Sequence, residues 1–393
     1  MPAIQNEALA NPLLLLWARE SAGFKLEEAA KKVPINPEKL LACEQGTARL
    51  SIAQLRKLSN AYKRPLAFFY LPSPPMPEIN LKDFRRMQGS EEQTTSPALR
   101  LEIRRAMFRR EAAIEMYKDL EIEIPVFDLT TSLNVKIEKI GKQIRQKLKV
   151  SKEVQEQIQG EYSALNLWRD AIEAQGVLVF QASIDTNQMR GLSLGEFPLP
   201  VILLNRKDSP KARVFTLIHE LTHLMLRVTG ICDLEEQNQI EVFCNAVAGE
   251  TLVPTDWIFN HKLVIENGSR TTWDDFVIST LADDFNVSYD VILRRLLNLG
   301  RTTKDFYQQK RKQMRREFEA LKSAKSGEKK SGFAPPHTLA ISNTGKTFAK
   351  LVLDSYRQKK ISLMDASEYL GVKLKHLPKI EQALSTPTNF IGD

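Results

Sequence analysis

At 393 residues, with 42% hydrophobic and 26% charged side chains, the chain is long enough to bury cores in two or three domains, which excludes a disordered polymer. Apolar runs such as Leu13 to Leu16 fall far short of the roughly 18 residues a membrane span needs, so a cytoplasmic protein with no membrane partner is expected. Cys43, Cys232 and Cys244 include no C-x-x-C pair, which argues against a disulfide framework and a cysteine-built zinc site. The net charge of +8 is concentrated in residues 301–330, where eleven Lys or Arg face four acids, so it says little about the rest of the chain.

Residues 11–72 read as a compact helical unit. An amphipathic run from Asn11 to Ala22 is punctuated by Gly23, and Leu26, Ala29, Ala30 and Val33 continue an apolar face up to Pro34. A short helix follows from Asn36-Pro37 to Gly46, and Ser51 opens another through Leu58 and Tyr62. With Arg19, Gly23, Leu26, Ala29-Ala30, Glu44-x-Gly46 and Leu55/Leu58 in their places, this segment resembles the XRE-type (Cro/C1-like) helix-turn-helix family. The resemblance implies that Pro37 to Gln45 is the recognition stretch, with Lys39 and Gln45 as DNA-contacting residues. Between 24 and 50, however, five basic residues face four acidic ones, a weak electrostatic footprint, so DNA binding and protein docking both stay open.

Four prolines within residues 71–80 mark a linker. Helices are expected at 97–120, 134–147 and 151–174. Then the period changes: Gly176–Phe180 and Leu199–Leu204 are short Val/Ile/Leu-rich runs bounded by Gly, Pro and Asn, the pattern of strands in a small sheet. A long helix is expected from Lys211 to about Val228.

Inside that helix lies His219-Glu220-Leu221-Thr222-His223. Four helical steps turn the chain through about 400°, so the two imidazoles emerge on one face, one turn apart, and can share a metal ion with Glu220 beside them. With only five histidines in the chain, composition alone would produce such a quintet in fewer than about one such chain in a hundred. The flanking residues are nearly all apolar, so the polar trio is expected to be buried and to need partners. A catalytic zinc needs a third protein ligand. Asp233, Glu235, Glu236 and Glu241 are all available, and Glu241 and Glu250, nine positions apart on the next expected helix, lie on opposite faces so that only one can reach the ion.

The combination of Asn205 after the strand, Phe215-Thr216-x-x-His219-Glu220-x-x-His223, Glu241-x-x-Cys244-Asn245 closing at Leu252-Val253-Pro254, Phe285-Asn-Val-Ser288 and Arg294-Arg-Leu-Leu resembles the ImmA/IrrE family of M78-type metallopeptidases. The likeness spans roughly residues 150–300. It implies zinc ligation by His219, His223 and Glu241, Glu220 as general base, and a helix-turn-helix repressor as protein substrate. Thr222 stands where the family commonly has Gly. The oxyanion donor is left open among His261, Tyr289 and Arg294, and Cys244 reads as a small buried side chain.

Two further helices are expected within 274–300, then a basic helix fading into a Ser/Gly/Lys-rich linker. Helices at 346–358, 363–370 and up to Leu384 close the chain, with His337 and His376 in loop-like or polar surroundings. The expectation is a mainly α, multidomain chain: an all-α helix-turn-helix domain at 1–75, a Pro-rich linker and helical connector at 76–149, an α+β zincin-like domain with a small sheet at 150–305, a basic helix and linker at 306–335, and a small helical region at 336–393. The functional expectation is a zinc-dependent endopeptidase acting in gene regulation. The alternative is a non-enzymatic DNA-binding regulator with a sensory or structural metal site.

Overall fold

The structure, a computed structural model, describes residues 7–74, 96–185, 188–227, 234–324 and 334–385, with backbone alone at 234–237 and 318–324. It is mainly helical with one small sheet, as the sequence indicated. The chain divides into two compact units, Met1–Arg105 with Ile231–Gln237, and Ala106–Gly230 with Asn238–Asp393.

The first unit contains α1 (Pro12–Ser21), α2 (Leu26–Lys32), α3 (Pro37–Glu44), α4 (Ile52–Tyr62) and a 3-10 turn at Leu66–Tyr70. Each helix starts where a cap allows. Asn11 accepts from Leu13 N, Asn36 accepts from Glu38 N, and Ser51 and Gln54 form a reciprocal capping box. Leu14, Ala18, Ala29, Leu40, Leu55, Leu58 and Phe69 fill the core. Arg19 clamps α1 to the end of α3 through a two-pronged bond to the buried Glu44, at 2.8 and 2.9 Å, and also donates to Phe24 O. Gly23, at φ +76°, makes the turn between α1 and α2 without the penalty a side chain would bring.

Helix α5 (Pro97–Asp119) begins in the first unit's span and continues into that of the second, which holds α6 (Ile137–Leu148), α7 (Lys152–Glu156) and α8 (Glu161–Glu173). The single helix expected over 151–174 is in fact two. Gly160, at φ +88°, breaks it, a conformation no helix interior accommodates. The sheet has the order β1-β3-β2. β1 (Leu178–Ala182) runs parallel to β3 (Val201–Asn205), and β2 (Gly191–Leu194) runs antiparallel to β3. β1 and β3 are buried at every position, which is why they read as continuous apolar runs rather than alternating ones. β2 escaped the sequence because it is four residues long and begins with glycine; pairing with β3, not propensity, makes it a strand.

Helix α9 (Pro210–Leu226) packs on β2, β3 and α8, and α10 (Leu234–Leu252) follows. Two short helices, α11 (Thr255–Phe259) and α12 (Lys262–Asn267), were not anticipated. Then come α13 (Asp275–Asp284), α14 (Tyr289–Asn298), capped by Ser288, and the basic α15 (Lys304–Ala324). The C-terminal helices are α16 (Pro336–Thr344), α17 (Lys346–Arg357), α18 (Leu363–Leu370) and α19 (Leu377–Ser385). His337 therefore sits in a helix, not a loop. These helices are built into the second unit: buried Arg169 bonds Glu173 at 2.9 Å and Ser342 O at 2.6 Å, Glu173 accepts from Thr347 N, and Phe180 meets Phe348 edge to face. Burial pushes the Glu173 carboxyl up, against the pull of Arg169 and Thr347. Most of the proline-rich linker, the linker after α15 and Cys232 lie outside the described residues.

Candidate metal centre

Ser209 caps α9 by accepting from Ala212 N at 3.3 Å, and Pro210 occupies its first turn, so the helix that carries the His-Glu-x-x-His quintet is fixed by local sequence. The His219 and His223 Nε2 atoms stand 3.1 Å apart. From α10, Glu241 places Oε2 3.4 Å from His219 Nε2 and Oε1 3.2 Å from His223 Nε2. Ligand atoms about 2.0–2.1 Å from a tetrahedral ion stand about 3.3 Å from one another, so these spacings are those of a site that can hold one. Among the described residues these three side chains form the only such group.

The electrostatics follow from the geometry. Burial pushes the Glu241 carboxyl up, but hydrogen bonds from His219 and His223 outweigh that effect and hold it at about 2. Burial also disfavours the charged His223 ring, yet the bond to Glu241 and the charges of Glu220 and Glu241 raise its pKa overall. The His219 Nδ1 is buried without a partner among the described residues. Cys244, one turn beyond Glu241, is buried, and burial pushes its thiol well up, as expected for an inert packing residue.

Glu220 is mostly buried, and no described donor hydrogen-bonds its carboxylate. It lies against the start of β2: a Cβ on Gly191 would come within 3.0 Å of Glu220 Cγ and Oε1, and within 2.3 Å of Thr216 Cγ2. Gly191 is thus a site residue that motif reading missed. The available signal was an isolated glycine at the start of a short apolar run. Asn205 supports this corner. Fully buried, it donates to Ile184 O and Met189 O and accepts from Lys207 N, tying the segment before β2 to the end of β3. Thr222 is accommodated by a bond from its hydroxyl to Ile218 O at 2.9 Å.

Glu250 points the other way and is consumed there. It accepts from Thr255 N at 3.0 Å, Thr255 Oγ1 at 2.6 Å and Arg295 at 2.5 Å. Nine residues along α10 do place the two carboxylates on opposite sides. Asp233, and the side chains of Glu235 and Glu236, lie outside the described residues. The three residues weighed as oxyanion donors are engaged locally: His261 caps α12 and meets Asp284 at 3.1 Å, Tyr289 donates to Asp275, and Arg294 lies over the Tyr307 ring. Lys39 and Gln45 are exposed on and just after α3, in the first unit.

Residues 172–297 match the Peptidase_M78 family, described as the IrrE N-terminal-like domain. The match runs from the last turn of α8 through the sheet, α9 and α10 to the last turn of α14, and so contains the whole His219–His223–Glu241 cluster. Over that region the chain is similar to this family. No curated protein matches the chain. No described helix is long and apolar enough to cross a membrane.

Proposed function

We propose that this chain is a zinc-dependent endopeptidase that acts in gene regulation by cutting a repressor-like protein, with residues 11–72 serving as a helix-turn-helix module that docks DNA or the repressor. The observation that carries the reading is the convergence of His219, His223 and Glu241 at ion-ligand spacing beside a carboxylate, Glu220, that no described donor engages.

His219, His223 and Glu241 would hold the metal. When bound, Zn²⁺ supplies Lewis acidity toward a peptide carbonyl and toward water at neutral pH. Glu220 is the proton acceptor and later donor: it lies next to the first histidine, is mostly buried and is not engaged by any described ion pair. Gly191 keeps that carboxylate's flank open, since any side chain there would occupy the same space.

The sheet suggests how a protein substrate is held. Asn205 N donates to Arg190 O, and by the alternation of antiparallel ladders the pairs 192–203 and 194–201 also face each other with hydrogen bonds. The backbone groups of Gly191 and Ser193 then face away from β3, and no described residue pairs with them. An extended segment of substrate can add along this edge, with its peptide bonds passing Glu220. That favours cleavage within an unfolded loop or linker. For the first unit, Lys39 and Gln45, exposed on and just after α3, would be the residues that contact DNA.

Substituting Glu220→Gln keeps the shape and the proposed ligands but removes the base. Zinc content and folding should be retained, while new protein termini seen in cells expressing the wild type should fall by about 100-fold or more with the variant. Identical terminal-peptide profiles for the two proteins would refute proteolysis.

A further inference from the structure

A cavity lies on the side of α10 where Glu250 sits, with none of His219, Glu220, His223 or Glu241 in its lining. It encloses about 920 Å³, large enough for a small organic ligand, and is walled by α6, the start of α7 and the segment Pro254–Trp257. Its floor is Arg145, only 7% exposed. The guanidinium donates to Gln155 Oε1 at 2.8 Å, Thr251 O at 2.7 Å and Ser151 O at 3.1 Å, and it lies 4.1 Å from the centre of the Trp257 ring.

Every one of those acceptors is neutral. They satisfy N–H groups but leave a buried positive charge with no carboxylate at ion-pair distance among the described residues. Thr251 lies in the last turn of α10, whose terminal carbonyls carry about half a negative charge, so compensation is partial. Burial accordingly pulls Arg145 down to about 10, with Asp256 and Glu153 only partly opposing it. Lys142, Lys149 and Lys152 line the same cavity, against Glu138, Glu153 and Asp256; the fourth acid, Glu250, is already neutralised by Arg295. Lys152 is likewise taken up by Glu156 at 3.6 Å, so Lys142, Lys149 and Arg145 balance Glu138, Glu153 and Asp256; of these six only Arg145 is buried, and it alone is buried without a carboxylate partner. Lysine stems, Val150, Pro254 and the indole of Trp257 supply apolar surface around it.

We propose that this cavity binds a small aromatic monoanion, its carboxylate or sulfonate facing Arg145 and its ring lying against Trp257. A single anionic group meets the one buried cation that has no carboxylate partner, whereas the balanced charges around it offer no excess positive charge to hold a polyphosphate. The site is separate from the proposed metal centre and stands without it.

Naphthalene-2-carboxylate is a suitable probe for the full-length chain, with naphthalene-2-carboxamide as its neutral twin. Expected results are saturable one-to-one binding by calorimetry, quenching of tryptophan fluorescence that disappears in Trp257→Phe, and binding of the amide weaker by about tenfold or more. Lys142→Glu with Lys149→Glu should weaken the carboxylate by about tenfold, and these exposed positions keep the test usable if Arg145→Gln fails to fold. His223→Ala should leave affinity unchanged. The proposal is overturned by equal binding of acid and amide, by no saturable binding, or by loss of binding in His223→Ala, which would put the probe at the histidine pair.

Discussion

Gly191→Ala tests the closest approach in the metal centre. The backbone there is not in the left-handed region, so alanine is strained only by what its Cβ meets: Thr216 Cγ2 at 2.3 Å, with Glu220 Cγ and Oε1 at 3.0 Å. Carbon contacts settle at about 3.5–4.0 Å, so β2 and α9 must separate locally by roughly 1 Å. Overpacking of this kind costs about 1–3 kcal/mol, and the loss of unfolded-state freedom on replacing glycine offsets about 0.4–1 kcal/mol of it. A net destabilisation of about 1–2 kcal/mol is expected in urea titrations followed by circular dichroism. Because a displacement of about 1 Å at a reacting group can cost about 100-fold in rate, cleavage should fall by that order while zinc content stays the same. Thr216→Ser removes the nearest atom. The double variant Gly191→Ala/Thr216→Ser should therefore be more stable than the sum of the two single losses by about 1 kcal/mol. Strictly additive losses, together with wild-type cleavage by Gly191→Ala, would show that β2 does not press on Glu220 and would remove the proposed substrate edge.

The metal reading predicts that protein purified without a histidine tag carries about one zinc per chain, and that His223→Ala and Glu241→Ala each lose most of it in elemental analysis; undiminished zinc would place the ion elsewhere. Arg295→Met should destabilise the second unit by about 3–5 kcal/mol, because it leaves the Glu250 carboxylate buried with only Thr255 for company. Adding Glu250→Met should recover part of that loss, and a double variant no better than the single would argue against the pair. Asp275 is held below its ordinary value by hydrogen bonds from Lys310 and Tyr289. A depressed carboxylate contributes stability that is present above its unfolded value of 3.8 and lost as pH falls through the lower folded value. Acid unfolding of Asp275→Asn should accordingly show a shallower limb below pH 3.8 than the wild type; superimposable curves would discount the cluster.

What could be read along the chain is what short-range geometry controls. The His219/His223 pair needs only the helical repeat, and that helix is announced by Ser209-Pro210 and by its apolar flanks. The opposition of Glu241 and Glu250 likewise follows from nine helical steps. The same arithmetic failed where no local signal existed. Gly160 breaks a helix that the apolar pattern would have carried through, and α11, α12 and α16 are short enough for packing rather than periodicity to decide them.

The one-dimensional pattern thus determined that two imidazoles share a helix face, that short apolar strands precede them, and that the basic charge is gathered in one late segment. It could not choose a third side chain among several acids, because that choice depends on the angle at which α10 returns to α9. Tertiary packing brought the Glu241 carboxylate within 3.4 Å of both rings, tied Glu250 to Arg295, and set the edge of β2 against Glu220. The physical reason is range: caps and helical repeats act over a few residues, whereas the position of a carboxylate from the next helix is set by the core that joins the two.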